Sequence, residues 1–382
     1  MSDSAAAWLR PVWVTVDLDA IRSNVAALVE LAAPSEVCAV VKAGGYGHGS
    51  VEVAKAALDA GAKWLAVAVV DEAVILRNAA IDAPILLLSE PSPDATELAV
   101  ELGLDCSVYT QTGIEALAKA SRGGEDPVSV HLKVDTGMHR VGAQPSEVLD
   151  LARDIVDRPE LKLGGLWTHL AVADEPGNSF TEIQKERFEA VRSSLEAEGI
   201  FVPLTHAANS AAAIDRPDLR YDMVRCGIAT YGLNPSSALD GRVALQPALS
   251  LTAEVAHVKV VSAGEAISYG QRHRCNVDTV IATVPGGYAD GVARRLSEVG
   301  GEVLIGGIRR PIVGTITMDQ FLVDCGLPGE MVVAPGDEVV LIGEQATERI
   351  TADDWASWLG TISYEVVCSI SQRVPRKYRG LQ

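Results

Sequence analysis

Aromatic side chains are scarce in this chain, and basic ones are outnumbered. Phe, Tyr and Trp make up 5% of 382 residues, and 32 Lys and Arg face 51 Asp and Glu, for a formal net charge of -19. An acidic surface argues against nucleic acid and against anionic membranes as partners. No apolar run approaches the ~20 residues needed to span a bilayer. Met1 to Arg10 lacks a basic flank followed by an apolar core, so no secretory signal is read there. The cysteines, Cys38, Cys106, Cys226, Cys275, Cys325 and Cys368, are scattered without a CxxC pair, which argues against a zinc site or a disulfide framework. Three of them, Cys38, Cys106 and Cys226, fall in apolar strand-like runs, where small buried thiols are common, and a reducing cytoplasm is the expected location. GxGxxG, GxxxxGK[ST] and GxSxG are all absent, which removes the dinucleotide, P-loop and serine-hydrolase signatures. No clustered His, Asp and Glu spacing suggests a metal.

What is present is a rhythm. The chain is 48% hydrophobic, enough for two domains with cores of their own. After a short strand, Trp13 to Val16, a helix opens near Asp17 with Asp19 as a plausible cap. Apolar strand-like runs then recur at 37–41, 64–70, 85–88, 106–109, 128–134, 163–169, 203–207 and 223–230. Alanine-rich helical segments lie between most of them, the longest over 179–197. Continuous apolar strands alternating with amphipathic helices predict a parallel sheet covered by helices. Eight such units predict a (β/α)8 barrel, with a doubly wound open sheet as the alternative. Polar residues gather at the strand C-terminal ends (Lys42, Arg140, His169, Asn209, Ser210 and Arg225), where barrel active sites are built.

After Asn234-Pro235 the texture changes to segments separated by Gly- and Pro-rich turns: 250–261, 279–284, 302–305, 312–324 and 338–342. This predicts a mostly antiparallel β domain. The expected division is a barrel over residues 1–242, whose first strand could pack on the second domain, and a β domain over 243–382. A last helical piece spans 352–359.

The stretch Val40-Val41-Lys42-Ala43-Gly44-Gly45-Tyr46-Gly47-His48-Gly49 organises the rest. It reads as strand, glycine-rich turn and helix, and it leaves a lysine at the mouth of a sheet against apolar walls. Desolvation there frees an amine as a nucleophile, although a solvated strand end is the ordinary explanation. Lys133-Val134-Asp135-Thr136-Gly137-Met138-His139-Arg140 reads either as a turn with an ion pair or as a guanidinium fork facing an anion. His169 lies in an apolar strand, where a satisfied core histidine is the commoner case. In His206-Ala207-Ala208-Asn209-Ser210 the polar pair caps a helix or borders an anion site. Arg225, inside an apolar strand, needs partners, and Gly227 lets a ligand approach backbone. In the second domain, Ser268-Tyr269-Gly270, Gly287-Tyr288-Ala289-Asp290-Gly291, Thr317-Met318-Asp319-Gln320 and Ser363-Tyr364-Glu365 each read as a turn with an aromatic anchor or as a functional segment.

Taken in order, VVKAGGYGHG, KVDTGMHRVG, WTHLA, HAANSAA, VRCGIATYGL, SYG, GGYADG with TMDQ, and SYEVVC with RVPR resemble the bacterial alanine racemases, which are fold-type III pyridoxal phosphate enzymes. The resemblance runs from Val14 to Tyr378. It implies a homodimer with shared active sites that interconverts L- and D-alanine by a two-base mechanism and supplies D-alanine for peptidoglycan. By resemblance, Lys42 would hold pyridoxal 5'-phosphate covalently and serve as one acid/base, and Tyr269 of the partner subunit as the other. Tyr46, Ser210, Tyr364 and the backbone around Gly227 and Ile228 would hold the phosphate, beside Asn209. Arg225 would face the pyridine nitrogen, with His169 next to the ring. Arg140, and Met318 of the partner subunit through its backbone, would contact the substrate carboxylate. Lys133 matches a position that some members carry as a carbamate orienting Arg140, and His206, Tyr288 and Asp319 match supporting positions.

Three departures stand out. Gly44-Gly45 replaces the usual middle pair of the lysine motif, which implies a more mobile loop. Arg272 and His273 follow Tyr269-Gly270 where a threonine and an aromatic are usual. Thr315 stands where many members have an arginine, which leaves substrate range open. The competing functions are a same-fold racemase for serine or lysine, a decarboxylase that would need Cys325 or Cys368, and a non-catalytic pyridoxal phosphate carrier.

Overall fold

The computed structural model describes residues 9–381 apart from Gly123, Glu125 and Met331. The chain divides into two units. The stretch from Leu18 to Pro247 forms one, and the chain up to Asp17 joins the stretch from Ala248 onward in the other.

The first unit is an eight-stranded parallel barrel in the order β8-β7-β6-β5-β4-β3-β2-β9. Its strands are β2 (Glu36–Val40), β3 (Trp64–Val67), β4 (Ile85–Leu87), β5 (Asp105–Val108), β6 (Val128–Lys133), β7 (Leu161–Trp167), β8 (Leu204–His206) and β9 (Met223–Cys226). Between β8 and β9 the ring is closed by single bonds, Asp222 N–H to the Thr205 carbonyl (3.0 Å) and Arg225 N–H to the Ala208 carbonyl (2.9 Å). β4 and β9 are buried at every position, as expected of strands covered by helices on one face and by the barrel interior on the other. The surrounding helices show one-sided burial. In Phe180–Ala197 the buried positions Thr181, Gln184, Phe188, Val191 and Leu195 recur at helical spacing. Two helix starts are capped by their own side chains: Thr110 accepts from Gly113 N–H and Asn209 from Ala212 N–H.

The second unit is built on a ten-stranded sheet, largely antiparallel, that includes β1 (Val12–Asp17), β10 (Leu249–Glu254), β11 (His257–Val261), β14 (Thr279–Pro285), β15 (Glu302–Ile305), β16 (Ile308–Val313), β17 (Gln320–Asp324), β18 (Glu338–Gln345), β19 (Glu348–Ile350) and β20 (Arg376–Arg379). A small hairpin, β12 (Ala266–Ile267) and β13 (His273–Arg274), stands apart.

The expected boundary after residue 242 falls at Pro247, and β1, which the sequence reading allowed to pack on the second domain, belongs to the second unit. β1 pairs antiparallel with β10 and parallel with β20, and its burial alternates along the strand, the signature of a sheet with two unlike faces rather than of a barrel strand. The barrel unit also runs to Pro247, because Asn24 and Gln246 exchange two hydrogen bonds, at 2.9 and 2.7 Å. Several expected strands are shorter than their runs. The 223–230 run stops at Cys226 and continues as a 3-10 turn over Ile228–Tyr231. The 250–261 run breaks into β10 and β11, and the 312–324 run breaks around 314–319, where the chain crosses from β16 to β17.

Candidate active site

At the end of β2 the backbone takes an uncommon path. Ala43, Gly44, Gly45 and Tyr46 have φ of 52°, 61°, 64° and 50°, one left-handed turn. Glycine suits this conformation, which costs other residues about 1 kcal/mol or more each. The loop was expected to be loose, but it is tied down. Gly45 N–H donates to the Val41 carbonyl (2.9 Å), Gly47 N–H to Ala43 (3.0 Å), Gly49 N–H to Gly44 (2.7 Å), and Ala43 N–H to the Glu72 carboxylate (2.6 Å). The turn leaves Lys42 half-buried and carries Tyr46 inward. The Tyr46 ring stacks on Tyr231 with centroids 4.8 Å apart, and the Tyr231 hydroxyl donates to the Val40 carbonyl at 2.9 Å.

Lys42 faces other cations. Lys133, the last residue of β6, is buried with its ammonium 4.1 Å from the centre of the Trp167 ring. Burial first, then the charges of Arg225, Arg140 and Lys42, push its pKa down to about 7. His169 is held well below the usual histidine range by burial and by the charges of Arg225, Lys133, Arg140 and Lys42, so its ring is neutral. These electrostatic neighbours define one cationic cluster, an arrangement that suits an anionic ligand.

Arg225 sits at the centre of the cluster in β9, fully enclosed. It donates to His206 Nδ1 (2.9 Å), the Thr168 carbonyl (2.8 Å) and the Ala207 carbonyl (3.0 Å), and approaches His169 Nδ1 at 3.4 Å. Burial pushes its pKa down to about 10, so it stays charged at neutral pH. A guanidinium can only donate, so His206 Nδ1 accepts and its Nε2–H is directed at His131 Nδ1, 3.0 Å away. That leaves His131 Nε2–H facing Asp105, at 3.6 Å. A polar chain thus runs from Arg225 through two imidazoles to a carboxylate at the start of β5, with Trp167 stacked on His206. The loops after β6 and β7 are joined by Gln184, whose amide donates to Thr136 Oγ1 (3.0 Å) and to the His169 carbonyl (3.1 Å).

Beside the cluster lies a cradle. Ser210 Oγ accepts from Gly227 N–H (2.9 Å) and Ala229 N–H (3.4 Å). A Cβ added at Gly227 would come within 2.5 Å of the Tyr46 hydroxyl, so that space is open only because residue 227 is glycine. Two hydroxyls and a run of amides, next to fixed positive charge, fit a phosphate. Ile228 is buried behind the cradle. Asn209 serves as the helix cap, its ordinary explanation.

The second unit carries its own group. Tyr269, Tyr288 and Met318 are exposed. Tyr288 N–H donates to the Thr317 carbonyl and Ala289 N–H to the Met318 carbonyl, at 3.0 and 3.1 Å. Thr315 Oγ1 donates to the Tyr269 carbonyl at 2.8 Å. Asp319 accepts from Arg373 at 2.8 Å, and the buried Asp290 takes both arms of Arg10. Tyr364 lies in the first turn of the helix Ser363–Cys368 and is half-buried.

The structure therefore gathers Lys42, Lys133, Arg140, His169, His206 and Arg225, with Tyr46, Ser210 and Gly227 alongside, in the barrel unit. It gathers Tyr269, Tyr288, Met318 and Asp319 in the β unit. Sequence reasoning gave no role to Tyr231, His131 or Gln184. A histidine in the apolar run of β6 was the one available signal for His131. Nothing in the spacing of Gln184 sets it apart on its helix.

A barrel with buried cations at its strand ends, followed by a β unit that presents a phenol, defines a two-domain barrel enzyme for an anionic ligand. Residues 16–235 match the alanine racemase N-terminal domain family and residues 248–378 the alanine racemase C-terminal domain family. An alanine racemase of Symbiobacterium thermophilum is 48% identical over 97% of this chain and 98% of its own. One from Thermobifida fusca is 44% identical over 96% and 97%. The crystal structure of alanine racemase from E. faecalis superposes with a TM-score of 0.92 at 41% identity, covering 98% of this chain and 99% of that one. The chain belongs to the alanine racemase family and is an isomerase.

Proposed function

We propose that the chain interconverts L- and D-alanine with pyridoxal 5'-phosphate, as a homodimer in the cytoplasm, and that its product supplies peptidoglycan precursors. The observation that carries this reading is Arg225, a permanently charged donor enclosed at the end of β9. It lies in register with β2 (Cys38 opposite Arg225), the strand that delivers Lys42.

When bound, the cofactor supplies an electron sink for the pair left at Cα when its proton departs. Lys42 holds the cofactor covalently and moves the proton on one face of Cα. Tyr269 of the partner subunit moves it on the other. Tyr46, Ser210 and the amides around Gly227 and Ile228 would hold the phosphate. Arg225 would be among the residues that hold the ring, where its charge would disfavour a proton on the ring nitrogen and so limit side reactions. His169, kept neutral, adds no competing charge beside the ring. Arg140 and the backbone of Met318 of the partner subunit would orient the carboxylate. Lys133, with a pKa near 7, is partly an unprotonated amine at neutral pH. That is the form that takes up carbon dioxide with release of a proton, and the resulting carbamate would give Arg140 an anionic neighbour.

The exposed phenol and thioether of Tyr269, Tyr288 and Met318 support a dimer, since such side chains are enriched at interfaces. Among the described residues no helix is long and apolar enough to cross a membrane. Burial raises the pKa of Cys38, Cys106, Cys226 and Cys325, as for structural thiols rather than reactive ones. The same burial weakens the decarboxylase alternative through Cys325. Thr315 favours a second reading, a same-fold racemase for serine or lysine. Incubating the holoenzyme with L-alanine in deuterated water tests the proposal. D-alanine carrying deuterium at Cα is the expected product. Chiral chromatography with serine and lysine decides the second reading, and absence of any exchange at Cα overturns both.

A further inference from the structure

Tyr269 rides on a backbone that ordinary residues avoid. The strap joining β12 to β13 has Ser268 at φ 63°, ψ -178°, Gly270 at φ 74° and Gln271 at φ 46°. The Ser268 conformation belongs to a region populated almost only by glycine, and holding a side-chain-bearing residue there costs on the order of 1–3 kcal/mol. Such a conformation persists only where its surroundings enforce it.

Here the enforcement is visible. Ser268 Oγ donates to the Thr315 carbonyl at 2.6 Å, and Thr315 Oγ1 donates to the Tyr269 carbonyl at 2.8 Å. The two bonds run in opposite directions between adjacent pairs of residues, so they fix rotation as well as distance. The chain can come this close because residue 314 is glycine at φ +71°, where a Cβ would sit 2.9 Å from that of Ser268. Gln271 N–H closes the strap on the Ser268 carbonyl at 3.2 Å. Thr315 is 6% exposed and Tyr269 is 74% exposed. The backbone of Tyr269 is therefore held from beneath while its phenol stands clear.

From this geometry we infer that Thr315 is a positioning residue for Tyr269. Its hydroxyl and carbonyl clamp the strained Ser268–Tyr269 step and set the direction in which the phenol projects. The inference rests on the reading of Tyr269 as one of the two bases. Misplacing a reacting group by about 1 Å can cost ~100-fold in rate, so a clamp of this kind affects turnover more than binding.

The test compares holoenzyme variants. Thr315→Val keeps the shape and removes the hydroxyl; kcat is expected to fall roughly 10- to 100-fold with KM nearly unchanged. The primary α-deuterium isotope effect should rise for one enantiomer only, the one whose proton Tyr269 removes. Thr315→Ser restores the hydroxyl and should recover most of the rate. Ser268→Ala, which keeps the strain and loses the bond, should lose more than Ser268→Gly, which relaxes the strain. In the cofactor-free protein, Thr315→Val should speed hydrogen exchange at the Gln271 amide. Equal rates for Thr315→Val and the native chain, or equal losses for Ser268→Ala and Ser268→Gly, overturn the clamp. Tyr269→Phe separates the two layers. Normal turnover there removes Tyr269 as a base, while amide exchange at Gln271 still decides whether Thr315 holds the strap.

Discussion

The two units present their chemistry in opposite ways. In the barrel Lys133, His206 and Arg225 are buried at the strand ends, and Arg225 is held by several partners, with donor contacts to one histidine and two carbonyls. In the β unit the backbone around Tyr269 is held while the side chains of Tyr269 and Met318 stand exposed. The barrel end is thus preorganised as it stands, with charges fixed before any ligand arrives. The β-unit side chains acquire a defined environment only when something covers them, which is what the proposed dimer supplies.

The sharpest way to break this contrast is to remove one acid/base group from each unit. Lys42→Ala should abolish both turnover and the visible absorbance of bound cofactor. Tyr269→Phe should lower turnover by ~100- to 10,000-fold, the range for a lost general acid or base, with that absorbance intact. Loss of the absorbance in both variants would mean that Tyr269 helps hold the cofactor rather than acting as a base alone.

Stability provides the next measure. Arg225→Met deprives three buried acceptors of their donor, at about 1–3 kcal/mol each, so a loss of at least about 3 kcal/mol in denaturant unfolding is expected. The exposed Arg140→Met should change stability by less than ~0.5 kcal/mol. Similar values for the two would contradict the picture of an enclosed, mutually supported barrel end.

Lys133 gives a pH signature. Its pKa is about 7 in the fold against 10.5 for the unperturbed group, so between those values the unfolded chain binds more protons than the native one. Stability of the cofactor-free protein should therefore rise with pH from about 7 to about 10.5, by a few kcal/mol at most. Below pH 7 the full cost of burying the charge remains. Lys133→Met should flatten that rise relative to the native chain in thermal melts taken across the window; an unchanged slope would place the titration elsewhere.

The smallest effect concerns the left-handed turn. Gly44→Ala meets no neighbour within 4 Å, so only the backbone conformation opposes it, at about 1 kcal/mol. Gly45→Ala should cost more, because the added carbon would lie 3.1 Å from the Ser50 backbone. Circular-dichroism melts of the two variants would rank them.

Much of the architecture was legible because parallel strands buried on both faces write themselves as unbroken apolar runs, and all eight were located from those runs. What could not be read was where such a run stops being a strand. Residues 223–230 are apolar apart from Arg225 and the closing Thr230, but Gly227 ends the ladder and opens the space near the Tyr46 hydroxyl. The site residues at strand ends were legible by type and position. The groups that support them were not. Gln184 is an unremarkable helix residue until the loops after β6 and β7 fold onto it, and His131 gains meaning only when β8 brings His206 within 3.0 Å. The strain at Ser268 leaves no mark in the composition.

One feature of the topology bears on how the chain is made. β1 lies between β10 and β20, with Val14 opposite both Leu251 and Arg376. During synthesis β1 leaves the ribosome long before either neighbour exists, and β20 follows only after the whole barrel and the rest of the sheet. The barrel sequence can close on itself in the meantime, while the leading strand waits with its amide edges unsatisfied. Any nascent chain stalled short of residue 376 would leave one of those edges open to pairing with another polypeptide.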